Sequence, residues 1–169
     1  MPHLSLVIRP PQSKDAEAIV HIHFAAVHHI SSEFYPPALL EAWSPTPNAS
    51  RYEWMRGMIG SPANAVLVAE IELTLSGFAI YTPETGFIRA LYVAPEFSGR
   101  GVGKTLLSFI EKQLAQAGVH TATLNASLNA VEFYRRAGFN ALQPTTQTLS
   151  NGMELECVEM QKLLLESVS

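Results

Sequence analysis

The segment from Val93 to Leu106, VAPEFSGRGVGKTL, constrains this chain more than any other stretch. An apolar run, Phe87 to Val93, stops at Pro95; glycines then alternate at Gly99, Gly101 and Gly103, and a helical pattern begins at once. Strand, glycine-rich turn and helix in that order build a cradle for phosphate. Glycine lets the backbone approach an anion closely, and the first amides of the helix, lacking an internal partner, point at it. More than one kind of phosphate ligand fits such a loop, so the rest of the chain has to decide between them.

At 169 residues, with 47% hydrophobic and 15% charged residues, the chain is expected to bury a substantial core as one domain over residues 1–169. A net charge of −4 supplies no global basic field, which argues against nucleic acid or an anionic membrane as partner. The single cysteine, Cys157, cannot form an internal disulfide and reads as a small buried hydrophobe on a strand. The N-terminus lacks a basic region followed by a long apolar core, and no apolar run approaches the length of a membrane span. These features together suit a cytoplasmic location.

The pattern of apolar residues alternates between helix and strand periods. Leu4 to Arg9 reads as a strand ended by Pro10 and Pro11. Ser13 is a plausible N-cap for a helix over Ala16 to Ile30, with Ile19, Ile22, Ala26 and Ile30 near one face. Pro36-Pro37 opens a short helix through Trp43, and Asn48 or Ser50 caps another from Arg51 to Ile59. The period then changes: Ala65–Ile71, Gly77–Tyr81 and Phe87–Val93 suggest an antiparallel meander. Val102 to Ala117 carries an apolar stripe of Val102, Leu106, Leu107, Ile110 and Leu114 and ends at Gly118. Thr121–Leu124, a short helix over Ala130–Ala137, Phe139–Thr146 and Glu154–Leu163 complete the α/β order.

The string from Ser98 to Thr105 is one residue short of a Walker A phosphate loop, which needs glycine where Ser98 stands. A nucleotidase of that type also needs a carboxylate after an apolar strand to hold magnesium. The chain has a single aspartate, Asp15, at the start of the first helix. The loop also follows an antiparallel meander, whereas a Walker A loop follows a strand of a parallel sheet.

The other reading extends much further. The segment Leu91 to Leu107 resembles the acetyl-coenzyme A signature of the GNAT N-acetyltransferase superfamily, Gln/Arg-x-x-Gly-x-Gly/Ala, mapped onto Ser98-Gly99-Arg100-Gly101-Val102-Gly103. Serine replaces the usual glutamine or arginine at the first position. A second element, Asn129-Ala-Val-Glu-Phe133-Tyr134-Arg-Arg-Ala-Gly138-Phe139, resembles the family's later Asn…Phe-Tyr-x-x-x-Gly-Phe pattern. Asn129 and Glu132 also have the spacing of a helix-capping pair. Phe133 and Tyr134 project about 100° apart on a helix and so suit different tasks. The likeness covers nearly the whole chain, and the group it most resembles is that of small bacterial acetyltransferases with unassigned acceptors.

The resemblance implies a GNAT fold: a mixed, mostly antiparallel sheet of about seven strands flanked by helices, with a V-shaped splay between the fourth and fifth strands. It implies acetyl-coenzyme A as cosubstrate and no metal. Leu91, Tyr92, Val93, Ser98, Gly99, Arg100, Gly101, Val102, Gly103, Lys104, Thr105, Asn129 and Phe133 would contact it, with backbone groups of Leu91 and Val93 holding the pantetheine arm. Tyr134 would protonate the departing thiolate; phenol and thiol have reference pKa values of about 10 and 8.5. The acceptor would be a primary amine of a small molecule or peptide, met by Glu33, Tyr35 and Trp43. Phe34, Tyr35 and Trp43 suit a pocket or interhelical packing equally. Many relatives carry a glutamate as base on the strand before the loop, but that strand here has Arg89 and no acid. Glu33, Glu84, His28 and His29 remain as local candidates for the base. His21, His23, His28 and His29 lack a carboxylate or cysteine to complete a metal site. A homodimer is compatible with the sequence. A noncatalytic acyl-coenzyme A sensor is the alternative that the missing strand acid keeps open.

Overall fold

The computed structural model of the chain describes residues 5–165, and these form one seven-stranded sheet in the order β1-β2-β3-β4-β5-β7-β6. The strands are β1 (Leu6–Arg9), β2 (Ala65–Ile71), β3 (Thr74–Thr82), β4 (Phe87–Val93), β5 (Thr121–Ser127), β6 (Asn140–Thr148) and β7 (Glu154–Leu163). The helices are α1 (Ala16–His28), α2 (Pro37–Trp43), α3 (Ala49–Gly60), α4 (Val102–Gln116) and α5 (Val131–Arg136). Leu4, expected to begin the first strand, lies outside the described residues.

Alternation along β2 and β3 divides the core. Val66, Val68, Phe78 and Ile80 pack with α1 and α3 residues, whereas Leu67, Ala69, Ala79 and Tyr81 pack with the apolar stripe of α4. Burial on both faces explains why these strands read as nearly continuous apolar runs. Gly77 leaves no room for a side chain beneath α4: a Cβ there would meet the Tyr92 carbonyl oxygen of the neighbouring strand at 2.8 Å and Val102 Cγ1 at 3.0 Å.

The pairing around β4 opens the molecule. β1 to β4 are successively antiparallel, as are β5, β7 and β6. β4 and β5 are parallel, joined by the α4 crossover, and they pair only at Phe87↔Thr123 and Ile88↔Leu124. Beyond those pairs β4 continues to Val93 and β5 to Ser127 without pairing, which is the V-shaped splay. A bulge, with Ile80 opposite Ala90 but Tyr81 opposite Ile88, leaves Arg89 as the extra residue where the strands part.

Several local expectations need correction. Ser13 does not cap α1; Ser13–Asp15 form a 3-10 turn because the Asp15 carboxylate accepts from Gln12 N at 2.7 Å and from Arg9 Nη1 at 2.9 Å. Helix α1 ends at His28, short of Ile30. Asn48 does cap α3, its Oδ1 accepting from Arg51 N at 2.9 Å. Asn129 and Glu132 do not form a capping pair. Glu132 turns instead to Arg135 and Arg136 one turn ahead, and the Leu128–Ala130 turn leaves Asn129 outside the helix. β5 runs past Leu124 to Ser127 because it stays paired with β7 as far as Ser127↔Cys157.

Candidate active site

The glycine-rich loop connects the end of β4 to α4. Gly99 and Gly101 adopt φ of 77° and 78°, and Gly101 is the N-cap of α4. Nothing lies within 4 Å of a Cβ at either position, so the left-handed backbone, not crowding, calls for glycine there. The first intrahelical bond of α4 is Thr105 N to Gly101 O at 2.9 Å. The amides of Val102, Gly103 and Lys104 therefore stand free at the helix start, the arrangement that attracts a phosphate. Thr105 donates its hydroxyl proton to Gly101 O at 2.8 Å, tightening this turn. Arg100 and Lys104 are exposed beside it, Arg100 lying over the Phe97 ring with 5.5 Å to the centroid. Ser98 is exposed and lines a cavity of about 330 Å³ with Leu91, Tyr92, Val93 and Asn129.

That cavity runs along the open edge of β4. Ala94 N donates to Ser76 O at 2.8 Å on the β3 side. Strand alternation then directs the backbone of Tyr92 to β3 and that of Leu91 and Val93 into the splay, where β5 does not reach. Tyr92 thus reaches the cavity by its side chain only. Asn129 is exposed, and its side chain hydrogen-bonds to none of the described residues, leaving its amide available to a ligand. Phe133 covers the start of α4: its Cζ would lie 3.3 Å from a Cβ on Gly103.

A second cavity, about 490 Å³, adjoins it; Leu91, Tyr92, Trp43, Ser127 and Ala130 line both. Tyr134 projects into its inner wall, 7% exposed, held edge-to-face between Phe133 at 5.1 Å and Phe139 at 5.6 Å. No hydrogen bond joins its hydroxyl to another of the described residues, and burial pushes its pKa above the ordinary phenol value. Tyr92, stacked on Phe78 at 5.5 Å and packed against His23 at 4.6 Å, is raised for the same reason, with the neighbouring Tyr134 adding to the effect. Two protonated phenols therefore face the same space at neutral pH.

The far wall comes from α1, α2 and α3. Arg51, Trp54 and Met55 share one face of α3 and reach the cavity. Arg51 donates to the Pro45 carbonyl, to Ser44 Oγ at 3.3 Å and to His23 Nδ1 at 3.3 Å. Ser44 Oγ lies 2.8 Å from the same His23 nitrogen. An Nδ1 that accepts from Arg51 leaves the ring proton on Nε2. Burial, then the charges of Arg51 and His28, lowers the His23 pKa to about 3, so the imidazole is neutral and a poor base. Arg89 lines the same cavity from the β4 bulge.

The residues expected to meet the acceptor separate. Trp43 stands between the two cavities. Tyr35 is 2% exposed and belongs to the core; its hydroxyl donates to Glu156 O at 2.6 Å and accepts from Leu128 N at 2.8 Å. Burial pushes its pKa up to about 12. It thereby holds the turn that presents Asn129. Glu33 is exposed in the turn after α1 and lines neither cavity, and Glu84 sits in the β3–β4 turn away from both. His28 Nε2 donates to Ser44 O at 2.8 Å, and His29 lines the smaller cavity. Among the described residues no aspartate or glutamate lines either cavity. His21 is engaged with Tyr52 at 2.9 Å, and no group of metal-ligating side chains comes together among the described residues. Arg51 and Trp54 were not among the expected site residues, and the i, i+3, i+4 spacing of Arg51, Trp54 and Met55 was their available signal; His23 was weighed only as a metal ligand.

The acetyltransferase (GNAT) domain family matches residues 33–164. The chain belongs to this family. It is 40% identical over 68 residues, 38% of its length, to an uncharacterized N-acetyltransferase, ycf52, of Porphyra purpurea, and the match spans 39% of that relative. A solved GCN5-related N-acetyltransferase from Rhodopseudomonas palustris superposes with a TM-score of 0.86 at 30% identity, covering 97% of this chain and 99% of that one. The PaiA N-acetyltransferase of Thermoplasma acidophilum, solved with coenzyme A, shares the fold at a TM-score of 0.74 and 21% identity over 95% and 99% of the two chains. No helix among the described residues is long and apolar enough to cross a membrane.

Proposed function

We propose that this chain is an acetyl-coenzyme A-dependent N-acetyltransferase that acts by direct transfer on a primary amine of a small molecule or peptide. The observation that carries the reading is the alignment of three features along one channel. They are a left-handed glycine loop with free helix amides, the unpaired β4 edge at Leu91 and Val93, and the Tyr134 hydroxyl at the inner wall. The loop suits a pyrophosphate, with Arg100 and Lys104 adding charge beside it, and the strand edge suits an amide-bearing arm.

Acetyl-coenzyme A supplies the acetyl group as a thioester. Leu91 or Val93 N–H, pointing into the splay, is placed to donate to the thioester oxygen as negative charge builds there. Asn129 holds the arm from the β5 side. The balance requires one C–N bond to form as the C–S bond breaks, one proton to reach sulfur and one to leave the amine. Tyr134 delivers the first. Its raised pKa keeps it protonated until needed, and the leaving sulfur, desolvated in the same cavity, has its own basicity raised by the same cause. Water takes the amine proton, since among the described residues no carboxylate faces the cavity and His23 is too weak a base. A cytoplasmic enzyme would meet acetyl-coenzyme A directly.

Release of coenzyme A thiol over a broad amine panel tests this reading. Turnover on at least one amine is expected. Coenzyme A binding without turnover on any amine would leave the acyl-coenzyme A sensor as the better account.

A further inference from the structure

The acceptor side of the larger cavity has a charge pattern that the proposed chemistry alone does not require. Its lining contains two guanidiniums, Arg51 and Arg89, and no carboxylate among the described residues. Elsewhere arginines are paired: Arg9 with Asp15 and Glu70, Arg56 with Glu17 and Glu53, and Arg135 and Arg136 with Glu132. Among the described residues, the arginines without a carboxylate partner are Arg100 at the phosphate loop and Arg51 and Arg89 at the larger cavity. In a chain of net charge −4, acids were available to neutralise them.

Arg51 makes the point most sharply. It is half-buried, and every group it touches is neutral: the Pro45 carbonyl, the Ser44 hydroxyl and the His23 imidazole. A partly buried cation with only neutral partners is costly unless an anion joins it. Three neutral acceptors hold the guanidinium in place yet leave further N–H groups of its five for a ligand. Arg89 is exposed at the β4 bulge, and no side chain among the described residues pairs with it.

We infer that the acceptor amine also carries a carboxylate, as an amino acid does, and that Arg51 and Arg89 select it. The inference rests on the acetyltransferase reading for the identity of the cavity. Trp43, Trp54 and Tyr92 give that cavity aromatic walls, which suit an apolar side chain between the two ends. The same cations explain how a site without a base receives a free amine. Like charge nearby disfavours the ammonium and lowers its pKa, so the proton passes to water more readily. Polyamines, with positive charge at both ends, are the class this cavity should reject.

The test compares each free amino acid with its own C-terminal amide, and includes spermidine. Affinity is measured by calorimetry on the full chain saturated with coenzyme A, and turnover by thiol release. At least one amino acid should bind and react better than its amide by roughly tenfold or more, the scale of a charge-assisted contact. Arg89→Gln, at an exposed position, should erase most of that ratio; Arg51→Gln should do the same, and Arg56→Gln on the outer face of α3 should leave it unchanged. If no amino acid binds better than its amide, if spermidine is preferred, or if the ratio survives both cavity variants, the inference is overturned. Absence of turnover with the binding preference intact would refute the transfer reaction and uphold the carboxylate site.

Discussion

The ring of Phe133 closes over Gly103 so tightly that a Cβ on the glycine would lie 3.3 Å from Cζ and 3.5 Å from Val93 Cγ2. The contact ties the start of α4, the end of β4 and α5 together at one point, and the next residue in α5 is Tyr134. Gly103→Ala should gain up to about 1 kcal/mol of helix propensity and lose a comparable amount to crowding. Net stability in urea should therefore change by less than about 1 kcal/mol. Turnover should fall severalfold, because Phe133 shifts and carries Tyr134 with it. Unchanged turnover would mean the ring yields without moving the phenol.

Gly101 tests the proposed phosphate cradle in the opposite way. Its Cβ would meet nothing, but its φ of 78° costs a non-glycine residue about 1–2 kcal/mol. Flattening the turn to relieve that strain rotates the free amides away from the anion. Gly101→Ala should weaken coenzyme A binding by roughly tenfold, and Gly101→Glu, which adds like charge, should remove measurable binding. Gly57, in the interior of α3 with open space around it, serves as the contrast. Gly57→Ala should raise stability by about 0.5–1 kcal/mol and leave the affinity alone. Wild-type affinity in Gly101→Ala would place the pyrophosphate elsewhere.

Tyr134→Phe removes a hydroxyl that hydrogen-bonds to none of the described residues, so the fold should tolerate it. If that hydroxyl delivers the proton to sulfur, kcat should fall by roughly 10²–10⁴ while coenzyme A affinity stays within severalfold. Steady-state kinetics alongside calorimetry separates the two effects. Equal losses in both would make Tyr134 a binding residue.

What was legible in the sequence follows from how local each cause is. Gly99 and Gly101 announced a phosphate loop because glycine's backbone freedom belongs to those residues themselves; the structure adds that they use it at φ of 77° and 78°. The α4 stripe was equally plain, since one helix face suffices to define it. Tyr35 stayed open between pocket and packing because a Tyr next to helix-breaking prolines says nothing of Glu156 and Leu128, which lie far along the chain and hold its hydroxyl. Arg89 could be read only as a missing acid. Its position at a bulge, facing the cavity that Arg51 enters from α3, depends on strand register and on helix packing across the sheet. Charge patterns of that kind emerge only when distant segments meet.

The sole aspartate of the chain, Asp15, carries the clearest pH dependence of stability. Arg9 on β1 bonds it through Nη1 at 2.9 Å and Nη2 at 3.3 Å, and also reaches Glu70 on β2 at 2.7 Å. The hydrogen bond from Arg9 above all, helped by the Gln12 amide and opposed by burial, holds the Asp15 carboxyl below its ordinary pKa. A carboxylate depressed in the folded state contributes stability that is complete above its unfolded pKa of about 3.9 and is lost as pH falls through the folded value. Wild type should therefore lose urea resistance progressively below about pH 4. Asp15→Asn should cost about 1–3 kcal/mol at pH 7 and show a shallower acid limb, because Arg9 then keeps only Glu70 as a charged partner. Paired urea melts at pH 7 and pH 3 decide it: parallel losses in both proteins would show that the Arg9–Asp15 contact does not couple to folding.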